Sequence, residues 1–150
     1  MPAKQTIAIT VRELRPDDLH RGFLEALAAL TEVDLTPDAA RSVYADRPAN
    51  MHSYVAEHDG QIVGTTTLLI ERKFIHGGGR VGHIEDVAVH PAFQRKGVGT
   101  ALVQHAVGVA QKAGCYKVIL DCFDPLVPFY ERMGFRPFNR GLRLDLTHSP

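Results

Sequence analysis

Gln94-Arg95-Lys96-Gly97-Val98-Gly99-Thr100 places two glycines and two adjacent cations where an alternating apolar pattern gives way to a helical one. A loop of this kind can aim several backbone N–H groups at one anion, with the helix dipole adding positive potential. Gly97 and Gly99 let a phosphate approach the main chain without a Cβ in the way, and Arg95 and Lys96 add formal charge. A Walker loop is excluded, because Lys96-Gly97 is not followed by Ser or Thr and no glycine precedes at the required spacing. A dinucleotide fingerprint fails at its third glycine, where Leu102 stands. The pattern suits a phosphate cradle, and it equally suits a surface turn that opens a helix.

Other chemically capable side chains are more ambiguous. Glu85 and Asp86 are neighbours on one strand pattern, so strict alternation sends them to opposite faces and only one can serve a given pocket. Asp121, near the end of a later strand, reads by itself as a solvated or capping carboxylate, and Tyr130, beside Phe129, as a packing aromatic. Arg72, Lys73 and Arg80 read as a solvated basic loop. Cys115 and Cys122, if on one strand, are seven residues and about 23 Å apart, beyond disulfide reach, which predicts reduced thiols and a cytoplasmic setting. Neither has a His nearby in sequence to make it a nucleophile. His83 and His90 could suggest a metal with Asp86, but alternation puts His83 on the other face, and no His-Glu-x-x-His or Cys pair occurs. No metal is expected.

The elements that must hold these residues follow from periodicity. Ile7, Ile9 and Val11 alternate toward Leu14 as a first, half-buried strand. Leu19, Phe23, Leu27 and Leu30 predict one amphipathic helix from an Asp17 N-cap to about Thr31. Thr36-Pro37 opens a short helix that Arg47-Pro48 ends. Met51–His58 and Gln61–Glu71 flank Asp59-Gly60, the signature of a tight hairpin. A glycine-rich connection, His76 to Arg80, leads to a fourth strand, Val81–Val89, antiparallel to the third. Val98, Ala101, Leu102, His105 and Val109 mark a long helix ending at Gly114, which makes the next strand, Lys117–Leu120, a parallel neighbour buried on both faces. A short helix spans Val127 to Met133, and Leu142, Leu144 and Leu146 alternate as a last strand with one buried face.

At 150 residues, 45% hydrophobic and 23% charged, the chain has the size of a single domain, 1–150, with a core that needs no disulfide or metal. Seventeen Lys+Arg balance seventeen Asp+Glu, which argues against a sequence-independent grip on nucleic acid and makes any anion site local. No apolar run approaches the roughly 20 residues of a membrane span, and Met1 to Thr10 do not read as a signal peptide.

Gly82-His83-Ile84-Glu85-Asp86-Val87-Ala88-Val89, followed by Gln94-x-x-Gly97-x-Gly99, resembles the strand and loop of the GCN5-related N-acetyltransferases, which bind acetyl-CoA. Within that superfamily the resemblance is to the glucosamine 6-phosphate N-acetyltransferases. It runs through Gly82–Val87, Gly114–Cys122 and Phe129-Tyr130-Glu131-Arg132-x-Gly134-Phe135, with Leu14-Arg15-Pro16, Leu30-Thr31-Glu32 and Glu71–His76 in agreement. One position departs: Leu126 stands where the family usually carries an Asn that touches the pantetheine arm.

The resemblance implies an α/β fold, a mixed sheet splayed between strands four and five with helices on both faces. It implies transfer of acetyl from acetyl-CoA to the 2-amine of glucosamine 6-phosphate by direct attack, giving N-acetylglucosamine 6-phosphate on the way to UDP-N-acetylglucosamine. Glu85 and Asp121 would serve the amino sugar, with Tyr130 as proton donor to the departing thiolate. Asp86, Val87, Ala88, Val89, Gln94, Arg95, Lys96, Gly97, Val98, Gly99, Thr100, Phe129, Tyr130 and Arg132 would hold the coenzyme, the main chain at Val87–Val89 supplying the oxyanion donor from a bulge. Thr31, Lys73, Phe74, Ile75, His76, Glu85, Asp86, Asp121 and Arg143 would meet the substrate. A homodimer with C-terminal strands at its interface is also implied. The rival readings are an acetyltransferase for another small or protein amine, and a catalytically silent acyl-CoA-binding module.

Overall fold

A computed structural model describes residues 5–147. The chain divides into two compact units at Leu120/Asp121. The first carries a five-stranded sheet in the order β1-β2-β3-β4-β5, with β1 Thr10–Glu13, β2 Met51–His58, β3 Gln61–Arg72, β4 Arg80–Val89 and β5 Cys115–Ile119. β1 to β4 pair antiparallel and β5 pairs parallel to β4, as expected of a strand reached through a helical crossover. The hairpin between β2 and β3 turns on Asp59 and Gly60, both at positive φ (48° and 79°).

Alternation along β2 and β3 separates two cores. Val55 and Ile62 join Leu14, Leu19, Leu24 and Ala40 on one face, whereas Ala56 and Val63 join Val98 and Leu102 on the other. Helices α1 (Phe23–Leu27) and α2 (Pro37–Ala45) cover the first face and α4 (Val98–Lys112) the second. Thr36 caps α2 as its position before Pro37 predicts, accepting the Ala39 N–H at 3.1 Å. α4 lies very close to the sheet: a Cβ on Gly64 would stand 2.9 Å from Val98 Cγ1 and 3.0 Å from Leu102 Cδ1. Its buried row is Val98, Leu102, Val103, Ala106 and Ala110, and Gly114 follows it at φ 79°.

Several expectations are corrected. The single helix from Asp17 to Thr31 is instead a 3-10 turn, Pro16–His20, and α1, broken at Gly22 with φ 108°. A Cβ there would lie 2.5 Å from the Ile62 carbonyl oxygen, so the chain must bend where β3 passes. Asp18, not Asp17, is the capping carboxylate: it accepts the Arg15 N–H at 2.8 Å. It is fully buried and receives both terminal nitrogens of Arg12 at 2.7 and 2.8 Å. Arg12 also reaches Glu57, which Arg21 holds from the other side at 3.1 Å. Ile7 and Ile9 pack on the core although only Thr10–Glu13 form the first strand. β5 is not buried on both faces, since Tyr116 and Lys117 are exposed, and Cys122 lies beyond it.

The second unit contains a 3-10 turn, Asp124–Leu126, running into α5 (Val127–Glu131). Tyr130 sits between the rings of Phe129 and Phe135, at centroid distances of 4.9 and 5.8 Å. The strand expected over Leu142, Leu144 and Leu146 is absent, and all three side chains are exposed. A period-two pattern makes a strand only with a ladder partner, and no strand pairs with it among the described residues.

Candidate active site

The β4 ladder positions the site. On one side its pairing with β5 ends at His83↔Ile119, while β4 runs on to Val89. On the other side Thr65 faces Ala88 and Thr67 faces Glu85, so β4 spends two residues, Asp86 and Val87, against Thr66 alone. This is a β-bulge, and Asp86 takes the left-handed conformation, φ 51°. The bulge overturns the argument from alternation, because faces are no longer assigned by counting from Glu85: both Glu85 and Asp86 are exposed. Counting also no longer separates His83 from Asp86 and His90. Among the described residues, no cluster of three His, Cys, Asp or Glu side chains is gathered as for a metal.

Beyond β4 the chain is held tightly. The His90 N–H donates to the Val63 carbonyl at 2.8 Å, and His90 Nδ1 accepts the Ala92 N–H as a cap. The Gln94 side-chain amide donates to the Val89 carbonyl at 3.1 Å. Arg95 and Gly97 both have positive φ, 62° and 85°, which turns the loop into the start of α4. Ala101 is the first residue to donate inside this helix, to the Gly97 carbonyl at 3.1 Å, so the N–H groups of Val98, Gly99 and Thr100 have no partner within the helix. Val98 itself is buried in the core, so its contribution to an anion is main-chain only. Arg95 is exposed and Lys96 half-buried, so two cations flank three forward-pointing N–H groups. The residues present fit a phosphate-bearing coenzyme.

A cleft of about 290 Å³ opens beside the bulge, lined by Leu27, Leu30, Thr31, Glu32, Val33, Asp34, Leu35 and Asp86. It brings together two of the residues expected at the substrate, Thr31 and Asp86. Other expected contacts lie after β3. Lys73 is ion-paired with Glu71 at 2.6 Å, which raises the lysine's pKa. Glu71 also meets His83 Nε2 at 2.8 Å, and with Lys73 as the larger influence its carboxyl is held below the usual range. Phe74 and Ile75 are fully or largely exposed, and His76 stacks on Tyr116 at 4.3 Å in the turn α3 (Ile75–Gly78). Glu71 carries no motif of its own in the sequence, although a carboxylate two residues before Lys73 on a strand end is a same-side neighbour.

In the second unit Tyr130 is buried, which pushes its phenol upward, with Cys122 adding to the effect, so its proton is retained at neutral pH. Burial likewise raises the Cys122 thiol, helped by Asp121 and Asp124, and Cys115 is raised by burial against the pull of Arg80. Asp121 is exposed, with a Cβ on Gly141 falling 3.9 Å from its Oδ2. Phe129 is half-buried and Arg132 exposed. Arg143 is exposed and pairs with Asp145 at 2.7 Å.

The family model described as acetyltransferase (GNAT) family matches residues 14–135, across both units. The chain is 41% identical over 144 residues to glucosamine 6-phosphate N-acetyltransferase of Trypanosoma brucei brucei, covering 93% of this chain and 97% of the relative. It is 39% identical to the Candida albicans protein of that name, over 85% of this chain and 89% of the other. Among solved structures, an acetyltransferase of Trypanosoma brucei superposes with a TM-score of 0.84 at 41% identity, over 93% of this chain and all of the other. Glucosamine-6-phosphate N-acetyltransferase of Arabidopsis thaliana superposes with a TM-score of 0.81 at 30% identity, over 95% and 99%. With a bulged β4 that parts from β5 and leads into an N–H-rich helix start, the chain belongs to the GNAT family of acetyltransferases.

Proposed function

We propose that this enzyme transfers acetyl from acetyl-CoA to the 2-amine of glucosamine 6-phosphate, releasing CoA, on the route to UDP-N-acetylglucosamine. The observation that carries the reading is the bulge at Asp86–Val87 in the stretch where β4 has left β5, in a chain 41% identical to an enzyme of that name. Such a stretch frees main-chain N–H groups to pair with the amides of a pantetheine arm and to meet a developing oxyanion. The helix start at Gly97–Thr100, with Arg95 and Lys96, supplies the pyrophosphate cradle, and Gln94 stiffens it through Val89.

In this reading Val87, Ala88 and Val89 offer the main-chain donors, with Phe129 and Arg132 as further coenzyme contacts. Glu85 receives the amine's proton directly or through water, Asp121 holds the amino sugar, and Tyr130 protonates the thiolate, for which its raised pKa keeps it charged with a proton. Asp86 and Thr31 bind the sugar from the cleft they share. Lys73, His76 and Arg143 take the phosphate, with Phe74 and Ile75 beside it. The sequence 1–150 acts as one catalytic domain in the cytoplasm, where its two free cysteines stay reduced. Two copies associate through the C-terminal segment, where Leu142, Leu144 and Leu146 are exposed.

The test is a thiol-release assay on an amino-sugar panel. Glucosamine 6-phosphate is expected to be turned over far better than glucosamine, because the site spends its cations on the phosphate. Equal turnover of the two, or none of either, would sink the substrate assignment.

A further inference from the structure

We infer that Thr66 is a positioning residue whose hydroxyl holds the β4 bulge in its working shape; the catalytic consequence rests on the reading above. Thr66 is fully buried on β3, the single residue opposite Asp86 and Val87. Its Oγ1 donates to the Glu85 carbonyl at 3.1 Å. A bulge interrupts the regular ladder, and here the buried hydroxyl supplies a donor to a carbonyl at the interruption. The neighbouring Thr65 hydroxyl is engaged elsewhere, on the Tyr54 carbonyl at 2.8 Å, so it does not substitute. The peptide that Thr66 grips is the one linking Glu85 to Asp86, immediately before the left-handed residue. Loss of the hydroxyl therefore loosens the main chain from which the oxyanion donors of Val87–Val89 and both carboxylates extend, while leaving the helix start and the Leu27–Leu35 side of the cleft intact.

Thr66→Val keeps the shape and removes the donor, whereas Thr66→Ser keeps the donor and removes a methyl. Steady-state kinetics with acetyl-CoA and glucosamine 6-phosphate are measured on the full chain and both variants, well below their melting temperatures. The expected result is a kcat about tenfold lower for Thr66→Val, equivalent to about 1.4 kcal/mol in the transition state, with smaller rises in the two KM values. Thr66→Ser is expected to stay close to the parent. Amide hydrogen exchange over residues 84–89 is expected to be faster in Thr66→Val than in Thr66→Ser by a similar factor. A kcat loss of equal size in both variants, or none in Thr66→Val, would overturn the assignment. If the unaltered chain turns over no amino sugar, the substrate reading falls separately and the exchange comparison alone decides: equal rates in the two variants refute the role of the hydroxyl.

Discussion

Replacing Asp18 by Asn isolates one buried charge at nearly constant volume. In the native protein this carboxylate accepts two nitrogens of Arg12 and the Arg15 N–H, with Arg21 3.7 Å away. Breaking a buried ion pair by removing one partner costs about 3–5 kcal/mol when the other charge is stranded. Arg12 is not stranded, because Glu57 still takes its Nε and Nη2 at 3.0 and 2.6 Å. Asn also keeps one acceptor. The expected loss is therefore about 2–3 kcal/mol, the scale of a charge-assisted hydrogen bond with partial compensation. For a domain of this size that lowers Tm by about 4–12 °C. The pH dependence supplies the signature. Burial raises the Asp18 pKa, but the Arg12 hydrogen bonds, the Arg15 N–H and the charges of Arg12 and Arg21 outweigh it and leave the group below its usual value. A depressed carboxylate stabilises the fold fully above its unfolded pKa, about 3.9, and that contribution is lost as pH falls through the folded value. Thermal melts of both proteins from pH 7 to pH 3 should show a constant gap that narrows only at the acid end. A gap under 2 °C at pH 7, or one that widens on acidification, would refute the reasoning.

Three further outcomes are expected. Gly64→Ala forces a methyl to within 2.9 Å of Val98 and 3.1 Å of the Ala88 carbonyl oxygen, and should cost about 1–3 kcal/mol as overpacking, read as a lower urea midpoint at unchanged m. Gly97→Ala places a Cβ at φ 85° and 3.1 Å from Thr6 Cγ2, costing about 1–2 kcal/mol for the left-handed conformation. It should raise KM for acetyl-CoA well beyond KM for the amino sugar, measured by varying each in turn. Tyr130→Phe should lower kcat on the order of a hundredfold, the usual worth of a positioned acid, while acetyl-CoA binding by calorimetry changes little; an unchanged kcat removes Tyr130 as the acid.

Local chemistry was readable in the sequence wherever one residue type dictates one conformation. Asp59-Gly60 specifies its turn, Thr36-Pro37 its helix start and Gly114 the end of α4. Gly97 announced a special backbone, and its φ of 85° begins that helix. Features decided by distant partners were not readable. Gly22 looks tolerable inside a helical pattern until the Ile62 carbonyl arrives 2.5 Å from its missing Cβ. By spacing Asp86 reads as an ordinary strand residue; the resemblance implies a bulge near Val87–Val89, and the ladder with Thr65 and Thr67 places the surplus residue at Asp86 and Val87. Asp17 and Asp18 are equivalent to a capping rule, and it is the guanidinium of Arg12 that selects the second. Leu142, Leu144 and Leu146 alternate like a strand yet find no ladder among the described residues.

The parting of β4 from β5 also carries a liability. Past His83 no strand among the described residues pairs with β4 on that side, and an unpaired edge is where chains adhere to one another. In the proposed reading the amides of the coenzyme complete that edge as a removable strand, and would shield the enzyme from self-association while bound. By mass action, saturation at a hundredfold excess over Kd adds about 2.7 kcal/mol to the native state. Shelf life, and not only turnover, should then follow how much coenzyme is present.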